Sequence, residues 1–193
     1  MKIFLVRHGE SVSDIEDRYG GSYDDHLTRT GIEQAKELAV KLSEKNIEMI
    51  FSSPLFRARE TAEIIKEVVG CEIKTVAALG ERNRYAHLTG TKKVLAKIRH
   101  PDEVAKLKSY EGCVEGGETY GEFRKRIIVA FDEIANFGPD SVTVVTHGGP
   151  ISCIFRELLK DEFERLGHCA VFEIVKEKGT FRLLDMENAE LEE

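Results

Sequence analysis

Two apolar runs, Ile3–Val6 and Val142–Val145, lack the alternation of apolar and polar positions that marks a half-exposed strand. A strand buried on both faces has this pattern, because neither row of its side chains meets water. Elsewhere, as in Leu55–Val69, apolar residues recur every three or four positions, which is the spacing of a helix with one buried face. Strands that alternate with such helices predict an α/β fold, in which a mainly parallel sheet is covered by helices on both faces.

The remaining segments complete this outline. Further strands are predicted at Met49–Phe51 and Ile73–Leu79 and in a closing hairpin of Val171–Val175 and Thr180–Leu184. Between Arg82 and Gly117 the periodicity weakens, with one short helix indicated after Pro101, so a small capping insertion is predicted at about 82–117. The length of 193 residues fits a single domain over 1–193. The acidic residues 187–193 are predicted to form a solvated, unstructured end.

Polar side chains follow the predicted strands at the points where the strands end. Arg7 and His8 come after the first strand, Arg57 after the second, Glu81 after the third and His147 after the fourth. Ligands of α/β folds bind beyond the carboxyl ends of the strands, so these side chains should meet at one edge of the sheet. Arg57 is placed in the first turn of its helix, off the buried apolar stripe.

Two histidines, two arginines and one glutamate are groups suited to phosphoryl transfer. Arg7 and Arg57 can each donate paired hydrogen bonds to phosphate oxygens and stay charged at any working pH. His147 precedes Gly148, where backbone N–H groups at the start of a helix also favour an anion. Nearby cations should lower the pKa of His8 and so keep its lone pair free to accept a phosphoryl group.

Glu81 is the only carboxylate in this predicted set, which makes it the candidate proton donor. A bound phosphate dianion would favour the protonated form of a neighbouring carboxyl group. Glu81 could therefore protonate the leaving alkoxide and later take a proton from an attacking water.

Composition narrows the range of partners. The net charge of −7 argues against nucleic acid, and no apolar stretch approaches the ~18 residues of a membrane span. The 4 cysteines lie far apart, and the candidate site has no metal-ligand spacing, so neither a metal nor a disulfide is predicted. With no signal-like segment at the N-terminus, the cytoplasm is the expected location.

Four motifs occur in order along the chain: Leu5-Val6-Arg7-His8-Gly9-Glu10-Ser11, Leu27-Thr28-x-x-Gly31-x-x-Gln34-Ala35, Ser52-Ser53-Pro54-Leu55-x-Arg57-Ala58-x-x-Thr61-Ala62 and Val144-Val145-Thr146-His147-Gly148-Gly149. Through them the chain resembles branch 1 of the histidine phosphatase superfamily, the cofactor-dependent phosphoglycerate mutase-like group, over roughly residues 2–175. An Arg-His-Gly triplet alone would be weak evidence. Four motifs in the right order are specific.

The resemblance implies a three-layer α/β/α sandwich with one antiparallel strand. It also implies that His8 is the phosphorylated nucleophile, that Arg7, Arg57 and His147 form the phosphate pocket, and that Glu81 donates the proton. Gly20 and Gly21 lie where similar enzymes bring the backbone close to the substrate, although an ordinary turn would also use glycine there.

One position departs from the family pattern. Similar proteins usually carry Asn three residues after the Ser or Thr of the first motif, where it donates a hydrogen bond to phosphate, but this chain has Asp14. An ionised carboxylate cannot donate a hydrogen bond. Asp14 is therefore expected to be a solvated loop charge or the partner of a nearby cation.

The phosphoryl group of a phosphohistidine could be transferred either to water or to a second hydroxyl group. The segment 81–93 resembles the Glu-Arg-x-Tyr…Leu-x-Gly-x-x-Lys stretch of the mutases, in which Arg82, Tyr85 and Lys93 would hold a substrate carboxylate. Such a mutase would need 2,3-bisphosphoglycerate as its phosphoryl primer. However, Gly117 follows Glu81 by only 36 positions, and a small cap excludes water less well.

The favoured interpretation is a phosphatase of small phosphorylated metabolites that requires no cofactor. A mutase and a non-catalytic phospho-ligand sensor remain alternatives. The sequence leaves open both the identity of the substrate and the possible formation of a homo-oligomer.

Overall fold

The computed structural model describes residues 1–192, which are built around a six-stranded sheet. Its strands are β1 (Lys2–Arg7), β2 (Met49–Ser52), β3 (Glu72–Thr75), β4 (Ser141–Thr146), β5 (Phe163–Glu177) and β6 (Thr180–Leu191). They lie side by side in the order β3-β2-β4-β1-β5-β6. All pairings among β1 to β4 are parallel, and β5 is antiparallel to both of its neighbours. The predicted mainly parallel sheet with one antiparallel strand is confirmed.

The helices are α1 (Val12–Ile15), α2 (Arg29–Leu42), α3 (Phe56–Val69), α4 (Lys93–Arg99), α5 (Pro101–Lys106), α6 (Tyr120–Ile134) and α7 (Gly148–Ile154). The last continues as a short π-helical turn, Phe155–Leu159, and single 3₁₀ turns occur at Ala77–Leu79 and Ala86–Leu88. Within residues 1–192, no helix combines the length and apolarity that a membrane span requires.

Strand β1 shows why the molecule has three layers. Ile3 and Leu5 point into a core that includes side chains of α6 and α7, whereas Phe4 and Val6 point into a second core that includes side chains of α2 and α3. Each of these four side chains is at most 2% exposed, and burial of one large apolar side chain stabilises the fold by about 1.5–3 kcal/mol. The uninterrupted apolar run thus supplies both faces of the central sheet.

The segment 82–117 covers the carboxyl edge of the sheet and has a small core of its own. Leu88, Ala96 and Val114 are buried there against Tyr19, which lies in the loop after α1. The helix expected after Pro101 is α5, whereas the preceding α4 was not predicted. This packing joins the cap to the loop that follows the first motif.

The third strand is shorter than predicted. It ends at Thr75, and Ala77–Leu79 forms a 3₁₀ turn instead of extending the strand to Leu79. The neighbouring β2 ends at Ser52, whose carbonyl accepts the last inter-strand hydrogen bond from Val76 N–H at 2.8 Å. Beyond that bond residues 1–192 offer no partner strand, and the chain turns towards the site.

The C-terminal prediction was wrong for residues 187–191. Strand β6 continues to Leu191, because β5 begins at Phe163 and pairs with it on both sides of an irregular stretch between Leu166 and Val171. Pairs such as Ala189 with Leu166 and Leu191 with Phe163 extend the hairpin well beyond the predicted Thr180–Leu184. Glu193, the last residue of the predicted unstructured end, lies outside the described residues.

Candidate active site

The candidate site lies at the carboxyl ends of β1, β2 and β4. His8 directly follows β1, His147 directly follows β4, and Arg57 stands in the first turn of α3 after β2. The two imidazole rings meet edge to face with their centroids 5.0 Å apart. Because β1 and β4 are adjacent parallel strands, the two histidines are brought together by the sheet itself.

The ring of His8 has one hydrogen-bonding arrangement that satisfies both of its neighbours. Its Nδ1 lies 2.7 Å from the Gly9 carbonyl oxygen, which can only accept, and its Nε2 lies 3.2 Å from Nε of Arg57, which can only donate. Nδ1 therefore carries the proton, and Nε2 carries the lone pair. This assignment makes Nε2 the nucleophilic atom.

The surroundings of both histidines favour their neutral forms. Burial, reinforced by the charges of Arg57 and Arg7, holds the pKa of His8 well below its usual range. Burial and the nearby charge of Arg57 lower the pKa of His147 in the same way. The Nε2 atom of His147 lies 2.7 Å from Oγ of Ser53, while its buried Nδ1 has no hydrogen-bond partner in residues 1–192.

Arg57 lies on the buried side of α3, contrary to the placement predicted from the apolar stripe. It is only 3% exposed, and its Nη1 lies 2.8 Å from the Asp25 carboxylate, which is itself 5% exposed. Backbone carbonyls of Tyr23 and Gly21 accept further hydrogen bonds at 2.6 and 3.1 Å. These three acceptors thus fix the guanidinium against His8. The sequence carried no signal for the role of Asp25, which lies in an aperiodic loop.

The hydrogen-bond donors of Arg7 are less fully used than those of Arg57. The Nη1 of Arg7 donates to the Leu166 carbonyl at 2.5 Å, and its Nη2 lies 3.7 Å from Asp14 Oδ1. Its buried Nε has no acceptor among the described residues. An unpaired N–H of a buried guanidinium is a donor that a phosphate oxygen could satisfy.

Glu81 is held by two backbone groups. Its Oε2 accepts from Gly149 N–H at 3.0 Å and its Oε1 from Arg82 N–H at 2.6 Å. A Cβ at position 149 would lie 2.1 Å from Oε1, so glycine is required there for this carboxylate to approach. The sequence predicted Glu81 as the only carboxylate of the site. The structure corrects this, because it also places Asp14 and Asp25 there.

Asp14 lies beside the Arg7 cation, which is one of the two roles expected for it. Its Oδ2 accepts from the backbone N–H and hydroxyl of Ser11 at 2.9 and 2.7 Å, and lies 3.2 Å from Nε2 of His168. Burial alone would raise the pKa of Asp14, but the contacts with His168 and Ser11 outweigh it and lower that pKa. Asp14 is therefore an acceptor beside the phosphate pocket, and His168 was not predicted.

These side chains open onto a cleft of about 360 Å³. Nine of the predicted residues line this cleft: Arg7, His8, Gly20, Gly21, Arg57, Glu81, Arg82, Tyr85 and Gly148. Gly21 has φ of +53°, and a Cβ there would approach the Tyr85 ring to 2.9 Å, so both conformation and space require glycine. His147 lies behind this surface and is fully buried.

Two cap residues are placed differently from the mutase-like expectation. Nζ of Lys93 lies 2.7 Å from Asp17 Oδ1 and is not part of the cleft wall. Arg82 reaches the cleft, but its guanidinium donates to the backbone carbonyls of Tyr110, Glu111 and Glu118. It thereby holds the cap together instead of offering its donors to a ligand.

Further cleft residues were not predicted because they come from distant parts of the chain. Arg156, on the π-helical turn after α7, lies 3.9 Å above the ring of Tyr110, and Tyr120 at the start of α6 is next to both. Together with Arg84 of the cap, they give the outer cleft an aromatic and cationic wall.

Comparison with known proteins identifies the family and the fold to which this chain is similar. The model of the histidine phosphatase superfamily (branch 1) matches residues 3–189. The probable phosphoglycerate mutase GpmB of Escherichia coli is 31% identical over 164 residues, which cover 82% of this chain and 75% of that protein. The mycobacterial glucosyl-3-phosphoglycerate phosphatase structure superimposes with a TM-score of 0.83 at 24% identity, over 97% of this chain and 98% of that one. YhfR of Bacillus stearothermophilus gives a TM-score of 0.86 at 23% identity, over 94% of each chain.

Proposed function

Because this chain belongs to branch 1 of the histidine phosphatase superfamily, we propose that it hydrolyses small phosphomonoesters through a phosphohistidine on Nε2 of His8. The observation that carries the proposal is the orientation of the His8 ring. The proton on Nδ1 is committed to the Gly9 carbonyl, and the lone pair on Nε2 is at the phosphate pocket. The lowered pKa keeps that lone pair available at neutral pH.

In the first half of the reaction, Nε2 of His8 forms a bond to phosphorus while the bond from phosphorus to the ester oxygen breaks. Glu81, protonated at this stage, gives its proton to the departing oxygen, and an alcohol leaves. The Arg57 Nε–H that now faces Nε2 is then free to donate to a phosphate oxygen. Its fixed guanidinium needs no reorganisation to do so.

In the second half, water attacks the phosphorus of phospho-His8. The Glu81 carboxylate takes the proton of the water, the phosphorus–nitrogen bond breaks, and the electron pair returns to Nε2. Inorganic phosphate leaves, and both residues are restored. Backbone N–H groups of Gly149 and Arg82 hold Glu81 in place through both steps.

The phosphate pocket has unused hydrogen-bonding groups that support this assignment. Nε of Arg7 and Nδ1 of His147 are both buried and lack partners in the part of the chain that the structure describes. A buried polar group without a partner costs about 1–3 kcal/mol. An oxygen atom of a phosphoryl group bound in the cleft could satisfy the Arg7 donor, since Arg7 lines that cleft.

Hydrolysis is favoured over the mutase reaction because two of the three cap residues expected to hold a phosphoglycerate carboxylate are occupied. Lys93 is paired with Asp17, and the Arg82 donors are used by cap carbonyls. A mutase must bind the carboxylate end of its substrate while the phosphoryl group is transferred from one hydroxyl oxygen to the other. Hydrolysis by water does not require this second binding contact.

The mutase remains the second candidate, for which 2,3-bisphosphoglycerate would prime His8. Its support is the name of the 31% identical Escherichia coli relative and the position of Arg84 and Tyr85 on the cleft wall. The third hypothesis, a non-catalytic sensor, would not need the complete set of His8, Glu81 and His147 that this chain retains.

A panel of phosphomonoesters, with phosphate release and 2-/3-phosphoglycerate interconversion followed in parallel, tests the proposal. We expect phosphate release without rapid interconversion, and loss of turnover by a factor on the order of 10³ or more in His8→Ala. His26→Ala, which removes an exposed histidine, is the matched control and should keep full activity.

Two results would overturn the assignment. Rapid interconversion with little phosphate release would establish the mutase, and unchanged turnover of His8→Ala would remove His8 from the mechanism. Failure of a labelled phosphoester to label His8 in a folded protein would favour the sensor.

A further inference from the structure

Three metal-ligating side chains meet in the cap, away from the cleft. His87 belongs to the 3₁₀ turn Ala86–Leu88, His100 joins α4 to α5, and Glu103 lies in the first turn of α5. Nε2 of His87 lies 3.3 Å and Nδ1 of His100 lies 3.0 Å from the same carboxylate oxygen of Glu103. None of the three lines the cleft, and the mechanism above uses none of them.

The local backbone directs these side chains towards one point. Pro101 is the first residue of α5, so His100 caps the helix and faces the same side as Glu103, three positions later. Ala86, directly before His87, has φ of +45°, which is unusual for a residue other than glycine. Two separate segments therefore contribute to the cluster, one of them through an uncommon conformation.

The spacing of the ligand atoms fits a metal ion. With bond lengths near 2.0–2.1 Å, neighbouring ligands of a tetrahedral Zn²⁺ lie about 3.3–3.4 Å apart. The three candidate atoms lie within 4.8 Å of one another, and the two distances to the Glu103 oxygen are close to this ligand–ligand spacing. Imidazole and carboxylate are also a donor set that suits Zn²⁺.

We propose that His87, His100 and Glu103 bind a divalent transition-metal ion of the Zn²⁺ type, with water in the fourth position. The side chains are 52%, 40% and 28% exposed, so an ion can reach them and a water can complete its shell. A bound ion would tie the 3₁₀ turn to α5. Because Arg84 and Tyr85 immediately precede that turn and line the cleft, metal occupancy would also restrain the cleft wall.

Binding of Co²⁺ and Zn²⁺ to tag-free protein tests this site directly. We expect one Co²⁺ ion per chain with the visible absorption of tetrahedral coordination, displaced by Zn²⁺ at micromolar concentrations. His87→Ala and His100→Ala should each weaken Zn²⁺ binding by at least about 100-fold, since loss of an outer-shell partner alone costs 10–100-fold. Calorimetry gives the affinities, and circular dichroism without metal confirms that the variants are folded.

His26→Ala is the matched control. His26 is also an exposed histidine in contact with a glutamate, Glu60, but the described structure gives that pair no second histidine. Its removal should leave Zn²⁺ affinity unchanged. Should His87→Ala not fold, the isosteric Glu103→Gln substitution tests the same site. Absence of Zn²⁺ binding in the wild type, or equal affinity in wild type and cap variants, would show that the cluster is not a metal site.

Discussion

Acidification should destabilise this protein before its carboxylates are titrated, because two histidines are buried in their neutral form. The folded-state pKa values of His8 and His147 lie well below 6.5, the ordinary value for histidine. As pH falls through 6.5, the unfolded chain binds protons at these positions while the folded chain does not. Their stabilising contribution is therefore complete above pH 6.5 and is lost progressively below it.

The size of the effect follows from proton linkage. At pH 5.5, one unit below the unfolded-state pKa, each histidine that remains neutral in the folded state lowers the free energy of unfolding by about 1.4 kcal/mol. The pair together accounts for about 2.8 kcal/mol, a substantial part of a typical total of about 5–15 kcal/mol. For a chain of this size, the loss corresponds to a fall in Tm of roughly 6–11 °C.

Urea unfolding at pH 7.5 and 5.5, followed by circular dichroism in phosphate-free buffer, measures this loss. Phosphate is omitted because a ligand of the folded state would itself add stability. His8→Asn and His147→Asn should each remove about half of the pH dependence. Depression of the pKa of Asp14 acts with the same sign, but only at lower pH, so this window isolates the histidines.

His26 supplies a control of opposite sign. Its pKa is raised by the hydrogen bond to Glu60, so its contribution is present below pH 6.5 and is lost as pH rises through its folded-state pKa. His26→Gln should therefore steepen the loss of stability on acidification. Equal pH dependence in wild type, His8→Asn and His147→Asn would refute the conclusion that these residues are buried in the neutral form.

Other predictions concern the carboxylates around the site. Asp25→Ala should lower the free energy of unfolding by about 3–5 kcal/mol, measured by urea unfolding, because it leaves the buried charge of Arg57 unpaired. Asp17→Ala, which breaks the exposed pair with Lys93, should cost less than about 1 kcal/mol, and equal effects of the two would contradict this account. Asp14→Asn should tighten inorganic phosphate binding about fivefold by calorimetry, corresponding to about 1 kcal/mol of removed repulsion, whereas weaker binding would show that Asp14 helps to hold the anion.

The parts of the site that follow strands could be predicted from the sequence. His8 and His147 lie two positions after the runs Ile3–Val6 and Val142–Val145, and adjacent parallel strands must place their carboxyl ends together. Their short sequence distance from a strand leaves little freedom in their position. The predicted fold and family resemblance were confirmed for the same reason, since both depend on those runs and the motifs attached to them.

The parts that depend on aperiodic loops could not be predicted. Asp25 reaches Arg57 from a loop whose path is set by Gly21 and by packing against the cap, and neither leaves a repeating pattern in the sequence. Apolar periodicity also misplaced Arg57, because it cannot recognise a buried charge whose partner is distant along the chain. The pairing of Asp14 with His168 joins positions 154 apart (168 − 14).

The sheet order has a consequence for how copies of this chain would meet. Strand β6 is at one edge of the sheet and is 12 residues long, so its outer backbone groups could template a strand from another molecule. It carries Asp185, Glu187 and Glu190, all exposed. Glu187 is paired with Lys41 and Glu190 with Arg165, so a strand brought alongside this edge would meet charged side chains of both signs. The charged side chains of this strand therefore protect the sheet from pairing edge to edge with another copy of the chain.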